Sequence, residues 1–332
     1  MSDSTPPSPP YHESPTFNAI ATEADIRAGY RLLLGRQPDS GGLDGFLQIL
    51  KVRPASVFEI VKTFMSSAEF AAVHHPSYKA PPTIVDLGGF RLVVRADDSS
   101  TGQSLAASGE YEPHVTAVFR GLLRPGMHVL DIGANIGFFT MLAASVVGPE
   151  GKVTAFEPGQ NNVALIHASA TLNGFTPIIE LWPLGVSSGP RIMVLTQQGS
   201  NGFVQELDGY TETLDQTSVV KCVPLDGFCH FDRLDIVKID IEGGEARAIA
   251  GAREIMRRFR PSVCSEFSPP MLEGQSQCTG PDYLKMWVED RYQISVIRPD
   301  GSLFEAGTDI ESVMAHFTQH ASTHIDLLLS PL

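Results

Sequence analysis

The stretch VLDIGANIGFFTMLAASVVG, Val129 to Gly148, decides the fold. It reads as a short apolar strand ending on Asp131, a turn of small residues, and an apolar helix from Ile136 onward. Gly133 and Gly137 let the backbone turn sharply and lie close to a ligand. That is the local structure of a nucleotide-binding turn, so a cofactor is expected over Gly133.

The spacing narrows the choice of cofactor. A dinucleotide fingerprint, Gly-x-Gly-x-x-Gly, uses its second glycine to let pyrophosphate approach and its third to let helix pack on strand. The matching positions here are Gly133, Asn135 and Phe138, which disfavours a nicotinamide-dependent oxidoreductase. The pattern present, Asp131-x-Gly133-x-Asn135-x-Gly137, resembles that of S-adenosylmethionine-dependent methyltransferases. Their ligand has no phosphate to cradle, but an amino acid moiety, a ribose and an adenine.

A second strand, Lys152 to Phe156, ends in Glu157, about 20 residues beyond the glycine turn, where a ribose-binding acid is expected. A carboxylate there can accept hydrogen bonds from both ribose hydroxyls. The plainer alternative is a solvated charge opening the next helix, which Pro158 and Gln160 would begin. In the third segment, Leu234-Asp-Ile-Val-Lys-Ile-Asp-Ile-Glu-Gly-Gly-Glu245, strand alternation sets Val237, Ile239 and Ile241 on one face and Lys238, Asp240 and Glu242 on the other. A parallel strand covered on both faces reads apolar throughout, so three charges at its carboxyl end point to a crevice. The structural alternative is a Lys238–Asp240 ion pair with Glu242 and Glu245 decorating a helix start.

Together these residues resemble a known family. Gly109-Glu-Tyr-Glu-Pro113, Asp131 to Thr140, Phe156-Glu-Pro158 and Lys238 to Glu245, followed by Gly251-Ala252 and Pro261 to Glu266, are similar to the successive motifs of FkbM-family methyltransferases. The resemblance covers about residues 84 to 330. It implies an α/β fold with a Rossmann-like, seven-stranded class I methyltransferase sheet, S-adenosylmethionine as donor, and methylation of a hydroxyl on a sugar or polyketide-like acceptor. Phe138-Phe139 stands where the family often has a tyrosine. Gly243-Gly244 stands where a single glycine and an alanine are common.

With 332 residues, 42% hydrophobic and 19% charged, the chain can bury a full core in one large domain beside a small one. No apolar run reaches membrane-spanning length, and the acidic, proline-rich start MSDSTPPSPP is not a secretory signal. A soluble, cytoplasmic enzyme is expected. A net charge of −14 disfavours a nucleic-acid partner held by a broad basic surface. Arg253, Arg257, Arg258 and Arg260 are read as ordinary cations near a helix C-terminus. Cys222, Cys229, Cys264 and Cys278 show no paired spacing and are expected as free thiols. His74-His75, and His316, His320 and His324 at four-residue spacing, offer no metal box and are read as solvated or capping groups. No dedicated metal site is expected, although Asp240 with Glu242 could in principle hold magnesium.

Three parts follow: a disordered tail over 1–20, a helical domain over 21–78, and the methyltransferase domain over 79–332. In the helical part Ile26, Tyr30, Leu33 and Leu34 line one face, Gly35 and Pro38-Asp39 break it, Leu43 to Lys51 resumes, and Ser66 to Glu69 matches a capping box. Tyr30 to Asp39, Gly42-Leu43 and Ser67 to Phe70 resemble a small helical domain attached to bacterial glycan-modifying proteins. That resemblance implies docking to protein or glycan, against a plain packing extension. Downstream, a strand pair spans Ile84 to Arg95, and a helix contains Glu112 and Val115 to Leu122. Further strands are expected near Ile178–Leu181, Arg191–Leu195, Val219–Val223 and Pro261–Glu266, with Arg291–Ile297 and Ile325–Leu329 completing the sheet edge. Gly199 to Gly202 is a candidate lid or a surface hairpin.

The chemistry expected is in-line methyl transfer to an acceptor oxygen, with Asp240 as base and Lys238 and Glu242 orienting acceptor or cofactor. Asp131, Gly133, Asn135, Gly137 and Glu157 hold the donor, and Glu112 closes its site. Two rival readings are a non-catalytic scaffold and a nitrogen methyltransferase. The latter often carries an Asn/Asp-Pro-Pro-aromatic motif, where this chain has Asp-Ile-Glu-Gly243.

Overall fold

The structure is a computed structural model that describes residues 20–70 other than 35, 66 and 68, together with 82–95, 98, 101–206, 217–320 and 323–332. The expected tail over 1–19 and His74-His75 lie outside the described residues. The chain divides into two compact units, one of Met1–Tyr78 with Gly227–His230, the other of Lys79–Asp226 with Phe231–Leu332.

In the first unit, helices span Glu23–Leu33, Ser40–Val52 and Val57–Met65. Thr22 opens the first with its backbone N–H donating to the Asp25 carboxylate, and Asp39 opens the second by accepting from the Gly42 N–H at 2.7 Å. The break at Pro38-Asp39 is therefore also a start signal, which brings the second helix in earlier than Leu43. Ile26, Tyr30 and Leu34 are buried with Ile60, Phe64 and Phe70, and Leu33 packs at the rim of that cluster. Ser66 is outside the described residues. The cap at this point is Ser67, whose hydroxyl accepts the Phe70 N–H at 3.0 Å.

In the second unit, β1 (Pro82–Asp86) and β2 (Arg91–Arg95) form an antiparallel hairpin. Then come β3 (His128–Ile132), β4 (Lys152–Phe156), β5 (Ile179–Trp182), β6 (Gly185–Val186), β7 (Arg191–Gln198) and β8 (Asn201–Glu206). They are followed by β9 (Thr217–Val223), β10 (Ile236–Ile239), β11 (Ser262–Phe267), β12 (Tyr292–Ile297), β13 (Leu303–Gly307) and β14 (Ile325–Pro331). The main sheet has the order β5-β4-β3-β10-β11-β14-β12-β13. Neighbours from β5 to β11 are parallel, and β14 runs against both β11 and β12. The first seven of these strands make the class I methyltransferase sheet, and β13 is an eighth on its edge.

Parallel strands need crossovers, supplied here by helices such as Phe138–Val147 and Gln160–Asn173. The first of these is apolar but for Thr140 and Ser145, as suits a largely buried helix, and it shares a core cluster with Val129, Val153 and Ile166. All four residues of β10 are buried, so Lys238 within it and the charged continuation stand out against Ile236, Val237 and Ile239.

One placement differs from expectation. The segment Ile325–Leu329 is not the edge but is inserted between β11 and β12, with residues 325–329 all buried. Its near-continuous apolar run fits a strand covered on both faces, and the edge belongs to the more exposed β13. Strand β13 was not anticipated, and β8 is the returning strand of the hairpin given as one alternative for Gly199 to Gly202. A second sheet, β6-β9-β7-β8, stands apart from the main one.

Among the described residues no helix is long and apolar enough to cross a membrane. Cys222, Cys264 and Cys278 are free thiols. The arginine cluster is structural: Arg253 and Arg257 grip Asp290, while Arg260 donates to the Asp290 and Arg291 carbonyls.

Candidate donor and acceptor site

The site starts where β3 ends. The Gly133 and Ala134 N–H groups both donate to the Phe156 carbonyl at 2.9 and 3.0 Å, tying the turn to the end of β4. Gly133 has φ +84°, and a Cβ on it would lie 2.0 Å from the Asp240 carbonyl oxygen. Glycine is needed here because the turn leans on the end of β10, a closer constraint than any ligand. Gly137, at φ +92°, would place a Cβ 2.9 Å from the Ile166 side chain, so it serves helix packing.

Asp131 is buried beneath the turn and accepts the Thr140 hydroxyl at 2.5 Å. Burial pushes its carboxyl up to about 6, against the pull of Thr140. Asp131 and Gly137, both expected at the cofactor, do not line the cavity. They hold strand, turn and helix in register behind it.

The cavity over the turn has a volume of about 180 Å³. Of the residues singled out in the sequence, Glu112, Gly133, Asn135, Glu157, Lys238, Asp240 and Glu242 line it. Glu157 is not a solvated helix-opening charge. It is buried, accepting the Gly159 N–H at 2.8 Å and the Asn162 amide at 3.3 Å on Oε1, and the Asn135 N–H at 2.9 Å on Oε2. A carboxylate offers about four acceptor positions, so about one remains, on Oε2, rather than the two that a pair of ribose hydroxyls would need. Burial raises this carboxyl to about 7, opposed by those donors.

One wall is the β7–β8 hairpin tip. It is a hairpin, but not a surface one: Ser200 is buried, its N–H donating to Asp98 at 2.9 Å and its carbonyl accepting from Asn162 at 2.8 Å. Beside it, Asn201 Oδ1 accepts from the Asn135 amide at 2.9 Å and from Thr101 at 3.2 Å. The turn and the hairpin are thus joined through Asn135.

The opposite wall is charged. Lys238 is buried with Nζ 2.8 Å from Asp240 Oδ2 and 4.9 Å from the centre of the Phe139 ring. The expected ion pair and the expected crevice are therefore both present. Burial works against the ammonium, but Asp240 and Glu112 keep its pKa raised. Burial likewise works against the Asp240 carboxylate, and Lys238 holds it below the usual range.

Glu112 precedes the Pro113–Leu122 helix rather than lying in it, in a left-handed conformation at φ 42°. No donor of a described residue reaches its buried Oε2, and burial raises its carboxyl to about 7. Glu245 sits outside the cavity and accepts the Ile241 N–H at 2.9 Å, closing the turn after β10.

Sequence reasoning missed several lining residues: Thr101, Asn201, Glu266, His324 and Asp326. His324 was grouped with His316 and His320, but the helix ends at His320 and His324 belongs to the approach to β14. Its Nδ1 lies 3.5 Å from Glu266 Oε1, while His316 stacks on Phe304. Glu266 and Asp326 are register partners on β11 and β14, and His114 meets Asp326 at 3.0 Å. The available signal was an acid next to the last residue of β11 and another next to the first residue of β14.

The methyltransferase FkbM domain matches residues 131–310 of the chain. The protein belongs to the FkbM methyltransferase family. That span carries the turn, Glu157, the Lys238–Asp240 pair and Glu266, while Glu112, His324 and Asp326 lie outside it. The methyl donor of the FkbM family is S-adenosylmethionine. The chain is 29% identical over 161 residues to the 31-O-demethyl-FK506 methyltransferase FkbM of Streptomyces tacrolimicus, matching 40% of this chain and 62% of that protein. It is also similar to the structure of methyltransferase FkbM from Methylobacillus flagellatus KT, at 17% identity and TM-score 0.42 over 92% of this chain and 60% of that one. An S-adenosylmethionine-dependent O-methyltransferase from Thermotoga maritima gives 14% identity and TM-score 0.38 over 69% and 70% of the two chains. The chain therefore spans less than two thirds of the FkbM proteins it matches.

Proposed function

We propose that this chain transfers a methyl group from S-adenosylmethionine to a hydroxyl of a sugar, glycan or related natural-product acceptor. The observation that carries this reading is a single cavity that unites the Gly133 turn with carboxylates at the ends of β10 and β11. The donor supplies an electrophilic methyl carbon on a cationic sulfonium, and an acid-rich wall suits that charge.

On the donor side, the remaining position on Glu157 Oε2 accepts one ribose hydroxyl, and Gly133 and Asn135 line the floor. Glu112, whose Oε2 meets no donor of a described residue, takes an ammonium and closes the site. Asp131 and Gly137 act through packing. On the acceptor side, Asp240 receives the hydroxyl proton, with Lys238 fixing its orientation and Glu242 bordering the acceptor. A lowered pKa does not disqualify Asp240. A hydroxyl becomes strongly acidic as its oxygen is alkylated, so an ionised, well-placed carboxylate is enough late in the step. Most of the rate gain comes from alignment in a site that excludes water.

The test is incorporation of labelled methyl into a panel of sugars. Asp240→Asn is expected to lower turnover by about 10²–10⁴ with donor affinity kept. Intact turnover in that variant removes the base role. Asp-Ile-Glu-Gly243, in place of an Asn/Asp-Pro-Pro-aromatic motif, favours oxygen over nitrogen as acceptor. The intact acids weigh against a scaffold that has lost catalysis. We assign the helical unit to docking of protein or glycan, the acidic chain to acceptors other than nucleic acid, and its place of work to the cytoplasm.

A further inference from the structure

We propose that the acceptor carries a protonated amine, held against Glu266 and Asp326 beside the hydroxyl that is methylated; this deepens, and rests on, the methyltransferase reading above. Glu266 and Asp326 are direct cross-strand partners, each only 7% exposed, and both line the cavity. Two acids directly opposite one another destabilise a sheet, and burying a carboxylate without partners is costly. The rest of β14 from Ile325 to Leu329 is apolar, so Asp326 is the one charge in that run, with His114 as its ion-pair partner.

The protein's own cations neutralise this pair incompletely. Lys238 is committed to Asp240 at 2.8 Å. His114 serves Asp326, while His324 stands 3.5 Å from Glu266 Oε1, too far for a strong hydrogen bond. Glu266 lines the cavity and its carboxyl hydrogen-bonds Asp240, while its buried Oε2 meets no N–H or O–H donor of a described residue. An ammonium group brings three donors and a positive charge, which matches two facing carboxylates. A divalent ion fits less well, since the described residues contain no group of three or more ligands arranged for one. The ammonium of the donor does not answer the need either, since Glu112 is there to take it.

Titration supports the geometry. Burial, and then the charge of Asp240, push the Glu266 carboxyl up to about 11, so it holds a proton in the absence of a cation. Asp240, Glu245, Glu242, Lys238, His324 and Asp326 act on it, with Glu112 and His114 on the neighbouring helix start. An arriving ammonium favours the ionised form, and the displaced proton passes to solvent. Binding is therefore expected to release protons near pH 7.

The experiment is calorimetry on the full chain with matched sets of hexose, amino hexose and N-acetylamino hexose, the amine placed at different carbons. It is run with and without S-adenosylmethionine and in two buffers of different ionisation enthalpy. We expect at least one amino sugar to bind about tenfold or more tighter than its hydroxyl and N-acetyl counterparts, with proton release. That preference should vanish in Glu266→Gln. The variant mimics the neutral carboxyl and should fold and bind donor as the parent does, and Asp326→Asn supplies a second reading. Equal binding within a set, a preference that survives both variants, saturable magnesium binding lost in Glu266→Gln, or no binding by any member overturns the proposal. A separate titration with S-adenosylmethionine alone reports on the methyltransferase reading, so the two can fail independently.

Discussion

Adding one methyl group at Gly133 probes the contact on which the whole site is built. In Gly133→Ala the new Cβ would lie 2.0 Å from the Asp240 carbonyl oxygen and 2.6 Å from Ile241 Cγ2, at φ +84°. The left-handed backbone costs an alanine about 1–2 kcal/mol. Relieving the overlap by parting the turn from the end of β10 adds about 1–3 kcal/mol, for a total of about 3 kcal/mol. In a unit of this size that corresponds to a fall in melting temperature of about 6–12 °C. Gly148→Ala is the control: φ is +65° and nothing lies within 4 Å of its added Cβ, so only the backbone cost of about 1–2 kcal/mol applies. Thermal and urea unfolding of the two variants isolates the close approach. Donor titration should show a loss in Gly133→Ala alone, because the turn and Asp240 move apart. Equal melting temperatures and equal donor affinities in the two variants would refute the claim that the turn rests on β10.

Lys238→Met leaves Asp240 buried without its partner, which is expected to cost about 3–5 kcal/mol in urea unfolding. Donor affinity should rise with pH through about 7 as Glu112 ionises, and Glu112→Gln should remove that step, both read by calorimetry. Glu112, Glu157 and Glu245 are each raised from 4.5 to about 7, so the native chain holds protons that the unfolded chain has lost. Stability without ligand should therefore be greatest below about 4.5 on their account and decline as pH rises to about 7, measured as the urea midpoint across that range. Asn201→Ala removes the hairpin's bonds to Asn135 and Thr101, and is expected to weaken donor binding by about fivefold with little change in melting temperature.

The local signals that reported the fold were those whose cause is local. A strand, a glycine turn and a largely apolar helix can be read from Val129 to Gly148, because turn geometry and burial leave their mark in adjacent residues. The same holds for Glu157 and for Lys238 to Glu242, each at the end of an apolar run. What could not be read is pairing. Nothing in Ile325–Leu329 says that it enters between β11 and β12, and until that insertion is known Glu266 and Asp326 have no reason to be joined. His324 was read as a solvated or capping group for the same cause, since its neighbour Glu266 is distant in sequence. Gly133 and Gly137 were recognised as necessary for the turn, but their close neighbours, Asp240 and Ile166, are distant in sequence. Hairpin strand β8 was legible only as one alternative, because its polar, glycine-containing sequence carries no alternation strong enough to mark it, although the tip lines the cavity.

The central claim is that the cavity over Gly133 receives S-adenosylmethionine, and calorimetric titration of the wild-type chain with that donor and with NADH tests it most directly, with Gly133→Arg and Glu157→Ala alongside. The account predicts saturable binding of S-adenosylmethionine to wild type, lost in both variants that remain folded, and no binding of NADH. Binding of S-adenosylmethionine that survives in both variants, or its absence from the folded wild type, would contradict it.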